Sequence, residues 1–181
     1  MAIKINTQKT AELLVGKSHW WGAPDLPKGT PYPYVTIQDP EGDFDEPLTF
    51  ISQINCEDIA EFDSPLDYHI PPKIIYAEDC SNLEPYEICW EGTNESIFRP
   101  AEKINFSLAE HTQGDGIIML GKPYQDEVLE SHGGDICLLQ IDESDDWGLR
   151  FYDCGMYYIF MNPVYIKNGE WNQASSELFY Y

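Results

Sequence analysis

Asp142, Ser144 and Asp146 occupy alternate positions of the stretch DESDDWG, and Asp153 stands eleven residues beyond Asp142. Oxygen side chains at this spacing are what a calcium loop offers to a hard divalent cation. The stretch departs from such a loop twice. Trp147 stands where the loop needs Gly for its sharp turn, and the last position carries Asp instead of a bidentate Glu. The expected reading is a hairpin loop of solvated acids. Asp142, Asp146 and Asp153 are the residues a divalent cation would use if one bound, and no cofactor is predicted.

Other chemistries are less well served. His19, His69, His111 and His132 are present, but no Gly-x-Ser-x-Gly elbow or other nucleophile signature accompanies them. His132 opens HGGD, which reads as a turn into a strand. There is no P-loop and no GxGxxG to hold phosphate. Paired carboxylates for glycoside chemistry are recognised by distance, which a sequence with 32 acidic residues does not provide. The cysteines (Cys56, Cys80, Cys89, Cys137, Cys154) are odd in number and contain no CxxC, so reduced, mostly buried thiols are expected. With no complete catalytic motif, a non-catalytic protein is the expectation.

The elements that must position these residues announce themselves through a repeated phrase. FISQINCED (residues 50–58) and LLQIDESDD (138–146) each run from apolar residues into Gln-Ile, then Asn or Asp, then acid. Upstream, WGAPDLP and LGKPYQD each place Gly, one residue, then Pro, at Gly22/Pro24 and Gly121/Pro123. Such self-similarity is the mark of duplication. The expected organisation is one domain over residues 1–181, with pseudo-repeat halves at about 20–80 and 119–162. In strand geometry Gln53 shares a face with Ile51 and Asn55, and Gln140 with Leu138 and Asp142. Apolar residues on both faces make these central strands. A Gln buried there needs hydrogen-bond partners, and the backbone of the Gly-x-Pro turns is the expected one.

Val, Ile, Tyr and Phe runs bounded by Gly, Pro, Asn and Asp predict strands at 47–54, 73–77, 86–90, 103–108, 116–120, 135–141, 149–152, 156–161 and 174–180. Helices are expected at residues 7–15, from 55 or 56 to 62, and at 163–168. Pro24, Pro27, Pro31, Pro33 and Pro40 make the first quarter an extended, turn-rich path. The fold class is therefore α+β, predominantly antiparallel β with a few short helices and two related β motifs.

Charge narrows the partner. Ten Lys and Arg against 32 Asp and Glu give a net charge of −22. Such a surface repels nucleic-acid phosphates and anionic lipid and attracts basic proteins or cations. The acid is concentrated: neither Lys nor Arg occurs between Gly29 and Pro72 or between Pro123 and Leu149, and each of these stretches holds one copy of the phrase. The expectation is recognition of a basic protein, with Asp145, Asp146 and Trp147 as partner-binding candidates. The alternative is a small-molecule or divalent-cation binding domain, with an enzyme among its forms, centred on Gln53, Gln140, Asp142 and Asp153. No apolar run approaches membrane-spanning length, and the N-terminal segment lacks the apolar core of a signal peptide, so a cytoplasmic protein is expected.

GAPDLPKGTPYP, PLTFISQIN, LGKP, the block DICLLQIDESDDWGLRFYDCGMYYIFMNP and WNQASSELFYY resemble the YwqG-like family, a bacterial domain family of uncharacterised function. The resemblance implies a β-rich α+β fold containing two related motifs, with Asp153 and Gly155 as the Asp-x-Gly of the second. Relatives commonly carry Gly-Asp-x-Gly where this chain has Tyr152-Asp153-Cys154-Gly155, and they are longer between Pro65 and Phe106. The family brings no catalytic residues to carry over. Its members are sometimes encoded near toxin systems, so the resemblance adds an immunity- or antitoxin-like role to the expectation.

Overall fold

The computed structural model describes residues 2–59, 62, 83–109, 114–144, 148–151 and 154–180. In chain order the strands and helices are β1 (Ile3–Lys9), β2 (His19–Trp20), β3 (Asp25–Pro27), β4 (Tyr34–Ile37), β5 (Phe44–Pro47), β6 (Ser52–Gln53), α1 (Cys56–Ile59), β7 (Leu83–Pro85), β8 (Glu102–Leu108), β9 (Ile118–Met119), α2 (Asp126–Ser131), β10 (Ile136–Asp142), β11 (Gly155–Met161), α3 (Pro163–Asn168) and β12 (Ser175–Tyr180). The strand pairings with defined register are antiparallel. The chain is thus mostly antiparallel β with short helices.

Two compact units emerge. One is drawn from Met1–Asn6, Cys56–Ile75 and Asn105–Tyr181, the other from Thr7–Asn55 and Tyr76–Ile104. The first unit orders its strands β12-β11-β10-β9-β1, and Ala109 N–H donates to Ala2 O to bring in the end of β8. Its core is Val128, Cys137, Met156, Tyr158 and Phe160, with Phe179 against them. β10 and β11 bury residues on both faces, as their near-continuous apolar sequences require. Their register shifts between Cys137 and Leu139, one irregularity in an otherwise regular ladder. In α3, Asn162 Oδ1 accepts from Val164 N–H, Pro163 stands in the first turn, and Gly169 ends the helix at φ 71°. Those are complete start and stop signals.

The second unit orders β8-β2-β6 and adds two small sheets, β3-β7 and β4-β5. Its aromatic centre is the buried Tyr32 ring, set against Tyr34, Tyr86 and Phe98 at centroid distances of 6.2, 5.3 and 5.5 Å.

Several expected elements differ. The helix expected at 7–15 is absent. Residues 3–9 form β1, because Ile3 and Ile5 alternate with exposed Lys4 and Asn6 and the strand pairs with β9. The remaining TAELLV, cut off at Gly16 (φ 72°), is too short to sustain a helix alone. The 47–54 strand shrinks to β6, and the 116–120 strand to β9. The 86–90 strand is replaced by a single Cys89–Ser96 bridge, and of the 149–152 strand the described residues 149–151 make a Leu149–Ser144 bridge. Of the helix expected from 55 or 56 to 62, Cys56–Ile59 is seen as α1, and residues 60 and 61 lie outside the described residues. Residues 73–77 lie outside the described residues. No described helix is long and apolar enough to cross a membrane.

Candidate functional site

In the second unit, Gln53 on β6 pairs with His19 on β2, and Trp20 with Ser52. Trp21 N–H then donates to Ile51 O at 2.7 Å, after which the chain turns sharply, with Trp21 at φ 54° and Gly22 at φ 81°. A Cβ at Gly22 would sit 2.7 Å from the Ala101 Cβ, so only glycine fits. Gln53 Oε1 accepts from Asp25 N–H (3.0 Å), the residue after Pro24, and Nε2 donates to Asp25 Oδ2 (2.8 Å) and Lys17 O (3.3 Å). Asp25 Oδ2 also accepts from Gly16 N–H (2.7 Å), while Asn55 Nδ2 donates to Gly16 O (2.8 Å). Buried His19 adds its Nδ1 to Trp21 O at 2.6 Å, and burial lowers its pKa.

The first unit holds a comparable arrangement. Gln140 on β10 pairs with Ile118 on β9, and Leu139 with Met119. Leu120 N–H donates to Leu138 O at 3.3 Å, and Leu120 takes φ 55°. Gln140 Oε1 accepts from Tyr124 N–H (3.0 Å), the residue after Pro123, and Nε2 donates to Gly114 O (2.8 Å) and Gly116 O (3.2 Å). Asp142 Oδ2 accepts from Gly116 N–H at 3.2 Å. Its pKa is raised, chiefly by burial, against the opposing effect of the Gly116 bond and with help from the charges of Asp115 and Glu143. A non-glycine residue at positive φ is strained by roughly 1–3 kcal/mol. Trp21 and Leu120 are each held there by a strand bond on one side and a glutamine-bound turn on the other.

Sequence reasoning passed over Glu143. Its carboxylate accepts from Phe151 N–H (3.1 Å), Cys154 N–H (3.0 Å) and Gly155 N–H (3.1 Å), gathering the loop before β11. These bonds lower its pKa, Gly155 foremost. A depressed carboxylate contributes stability that is present above its unfolded pKa of 4.5 and lost as pH falls through its folded value. Glu143→Gln should therefore unfold at lower urea than the native chain at pH 6. That gap should close as pH falls below 4.5, and a gap unchanged at acid pH would contradict the role.

The spacing also concealed a side-chain contact. His132 Nε2 lies 2.7 Å from Glu177 Oε2, and the His132 ring stacks on Phe160 at 3.9 Å and 9°. Both sequence neighbourhoods were silent, since the partners stand 45 residues apart. His132 and Phe160, with Leu120, Lys122, Pro123 and Cys137 among others, line a cavity of about 170 Å³. Its thiol is no nucleophile, because burial pushes the Cys137 pKa up to about 12.

The structure thus brings Gln53, Asn55, Asp25 and the Gly22/Pro24 turn together in one unit, and Gln140, Asp142 and the Gly121/Pro123 turn in the other. Gly155 lies with Glu143. Asp145, Asp146, Trp147 and Asp153 lie outside the described residues. Among the described residues no group of three or more His, Cys, Asp or Glu is disposed to hold a metal ion.

A family model described as a domain of unknown function (DUF1963) matches residues 18–74, just under a third of the chain. The match takes in the His19 turn, Gly22/Pro24, Gln53 and Asn55. No curated protein matches the chain.

Proposed function

We propose that this chain is a non-catalytic, acidic YwqG-like protein that recognises a basic protein partner in the manner of an immunity protein or antitoxin. We propose further that it is built from two copies of one β motif. The duplication is supported by one set of relations met twice. A two-residue strand pairs with the Gln strand, a residue at positive φ follows it, and the Gln Oε1 takes the N–H of the residue after the proline.

The observation that carries the recognition reading is a division of labour among polar groups. Gln53, Asn55, Gln140 and Asp142 are engaged by groups of their own units, which leaves them poorly suited to a ligand. In contrast Asp39, Glu41, Asp43, Asp45 and Glu46 are exposed, in a stretch without Lys or Arg. Uncompensated surface charge acts at a distance and speeds encounter with a basic partner. Affinity capture from the native host at low and high salt tests this. A basic protein recovered stoichiometrically and released as salt rises is the expected result. Absence of such a partner at both salts overturns it. A saturable rise in melting temperature with calcium or magnesium would then identify the cation alternative.

A further inference from the structure

The β4–β5 hairpin is a sheet of two strands, with no third strand on either edge among the described residues. Its register pairs Tyr34 with Pro47, Val35 with Glu46, Thr36 with Asp45 and Ile37 with Phe44. Because side chains alternate, Val35, Ile37, Phe44 and Glu46 share one face, and Tyr34, Thr36, Asp45 and Pro47 the other. On the second face Tyr34, 51% exposed, sets its ring against Tyr32, and Thr36 Oγ1 donates to Asp45 Oδ1 at 2.7 Å. The first is open, with Val35 42% and Phe44 50% exposed. An isolated two-stranded hairpin is marginal in water, yet this one is well anchored at its base. Tyr32 Oη donates to Leu48 O at 2.5 Å, and Leu48 N–H to Pro33 O at 3.1 Å. The loop at its tip is organised too, since Asp39 Oδ1 accepts from Glu41 N–H at 2.8 Å.

The face bearing Val35, Ile37 and Phe44 is apolar surface that no described strand covers. Its surroundings specify what covers it. The tip and strands carry Asp39, Glu41, Asp43, Asp45 and Glu46, all exposed, and no base. We propose that this hairpin is the docking surface for an extended, basic segment of the partner. The segment adds alongside the hairpin, lays alternate apolar residues over Val35, Ile37 and Phe44, and sets its Lys and Arg among the acids. Main-chain bonds and apolar burial supply affinity, and the acids select against anionic segments. This rests on the basic-partner reading above and gives it a location.

The test uses the full chain and fluorescent peptides about ten residues long. One alternates Lys with Val, one Lys with Ser and one Glu with Val. At low salt the Lys–Val peptide should bind at least tenfold more tightly than the other two and shift the amide resonances of residues 34–47. Val35→Ser/Phe44→Ser should weaken it about tenfold, and Asp43→Asn/Glu46→Gln should flatten its salt dependence. Both pairs are exposed, so the circular dichroism spectrum should not change. Glu127→Gln/Glu130→Gln, on α2, should leave binding unaltered. If both Lys peptides bind the native chain and the hairpin variants equally, the docking surface is overturned and the basic-partner reading survives. If neither Lys peptide binds the native chain, both fall. A native dimer that Val35→Ser/Phe44→Ser converts to monomer would assign the face to a second copy and overturn the proposal.

Discussion

Gln140→Leu should destabilise the fold by roughly 3 kcal/mol, read as a lower urea midpoint with an unchanged slope. The side chain is 1% exposed, so water does not replace what it does. Leucine fills similar volume and adds apolar contact, yet it strands the Tyr124 N–H and the Gly114 and Gly116 carbonyls. A stranded buried group costs about 1–3 kcal/mol, and three such groups outweigh the apolar gain even when two lie near a loop that water reaches. Gln140→Glu separates the terms. It keeps an acceptor for Tyr124 N–H but turns an anionic oxygen toward two carbonyls, so it should be no better than leucine at neutral pH. Gln53→Leu should cost less, about 1–2 kcal/mol, because Gln53 is only half-buried. A Gln140→Leu chain within about 0.5 kcal/mol of the native one would show that these bonds do not hold the turn.

How legible all this was depends on the length of each pattern. β8, β10, β11 and β12 are six or seven residues long, and each lies within a residue or two of the segment its apolar residues marked. α3 was legible because Asn162, Pro163 and Gly169 write its two ends in side-chain chemistry. β2 and β9 have two residues each, too few for any alternation to register. α2 carries no capping signature, since Gln125 spends its amide oxygen on the Tyr158 hydroxyl instead of on the helix. β1 was mistaken because the Ala-Glu-Leu-Leu composition beyond it favours helix, while its own Ile3-Lys4-Ile5-Asn6 alternation is brief. Partner choice over distance was the hardest to read. That Gln53 reaches Asp25, 28 residues away, and that Gln140 reaches Gly114, 26 residues away, depends on the turns between them. Glu143 was passed over for a similar reason. The alternate acids at 142 and 146 drew attention as cation ligands, and the residue between them instead collects main-chain N–H groups.

Gly155→Ala is expected to be more damaging still, by about 4 kcal/mol or more, with loss of soluble protein as the visible consequence. The reason is not dihedral freedom. A Cβ on Gly155 would lie 2.3 Å from Phe151 O and 2.6 Å from Phe151 Cβ, and neither is the end of a flexible side chain. Nor can the loop step aside, for Glu143 holds Phe151, Cys154 and Gly155 by their N–H groups at once, and Gly155 O accepts from Glu143 N–H at 3.2 Å. Relief of the collision therefore means releasing the carboxylate or shifting the start of β11. β11 is paired on both sides, to β10 and β12, so a shift there would propagate through the buried Met156, Tyr158 and Phe160. Gly133→Ala is the matched control. Its Cβ would meet nothing nearer than Glu130 O at 3.8 Å, and stability should stay within about 0.5 kcal/mol. If Gly155→Ala were as mild as Gly133→Ala in a urea titration, the loop would have to yield more freely than a three-point carboxylate clamp allows. Glu143→Gln should then show no acid-dependent gap either, since both effects come from the same closed loop.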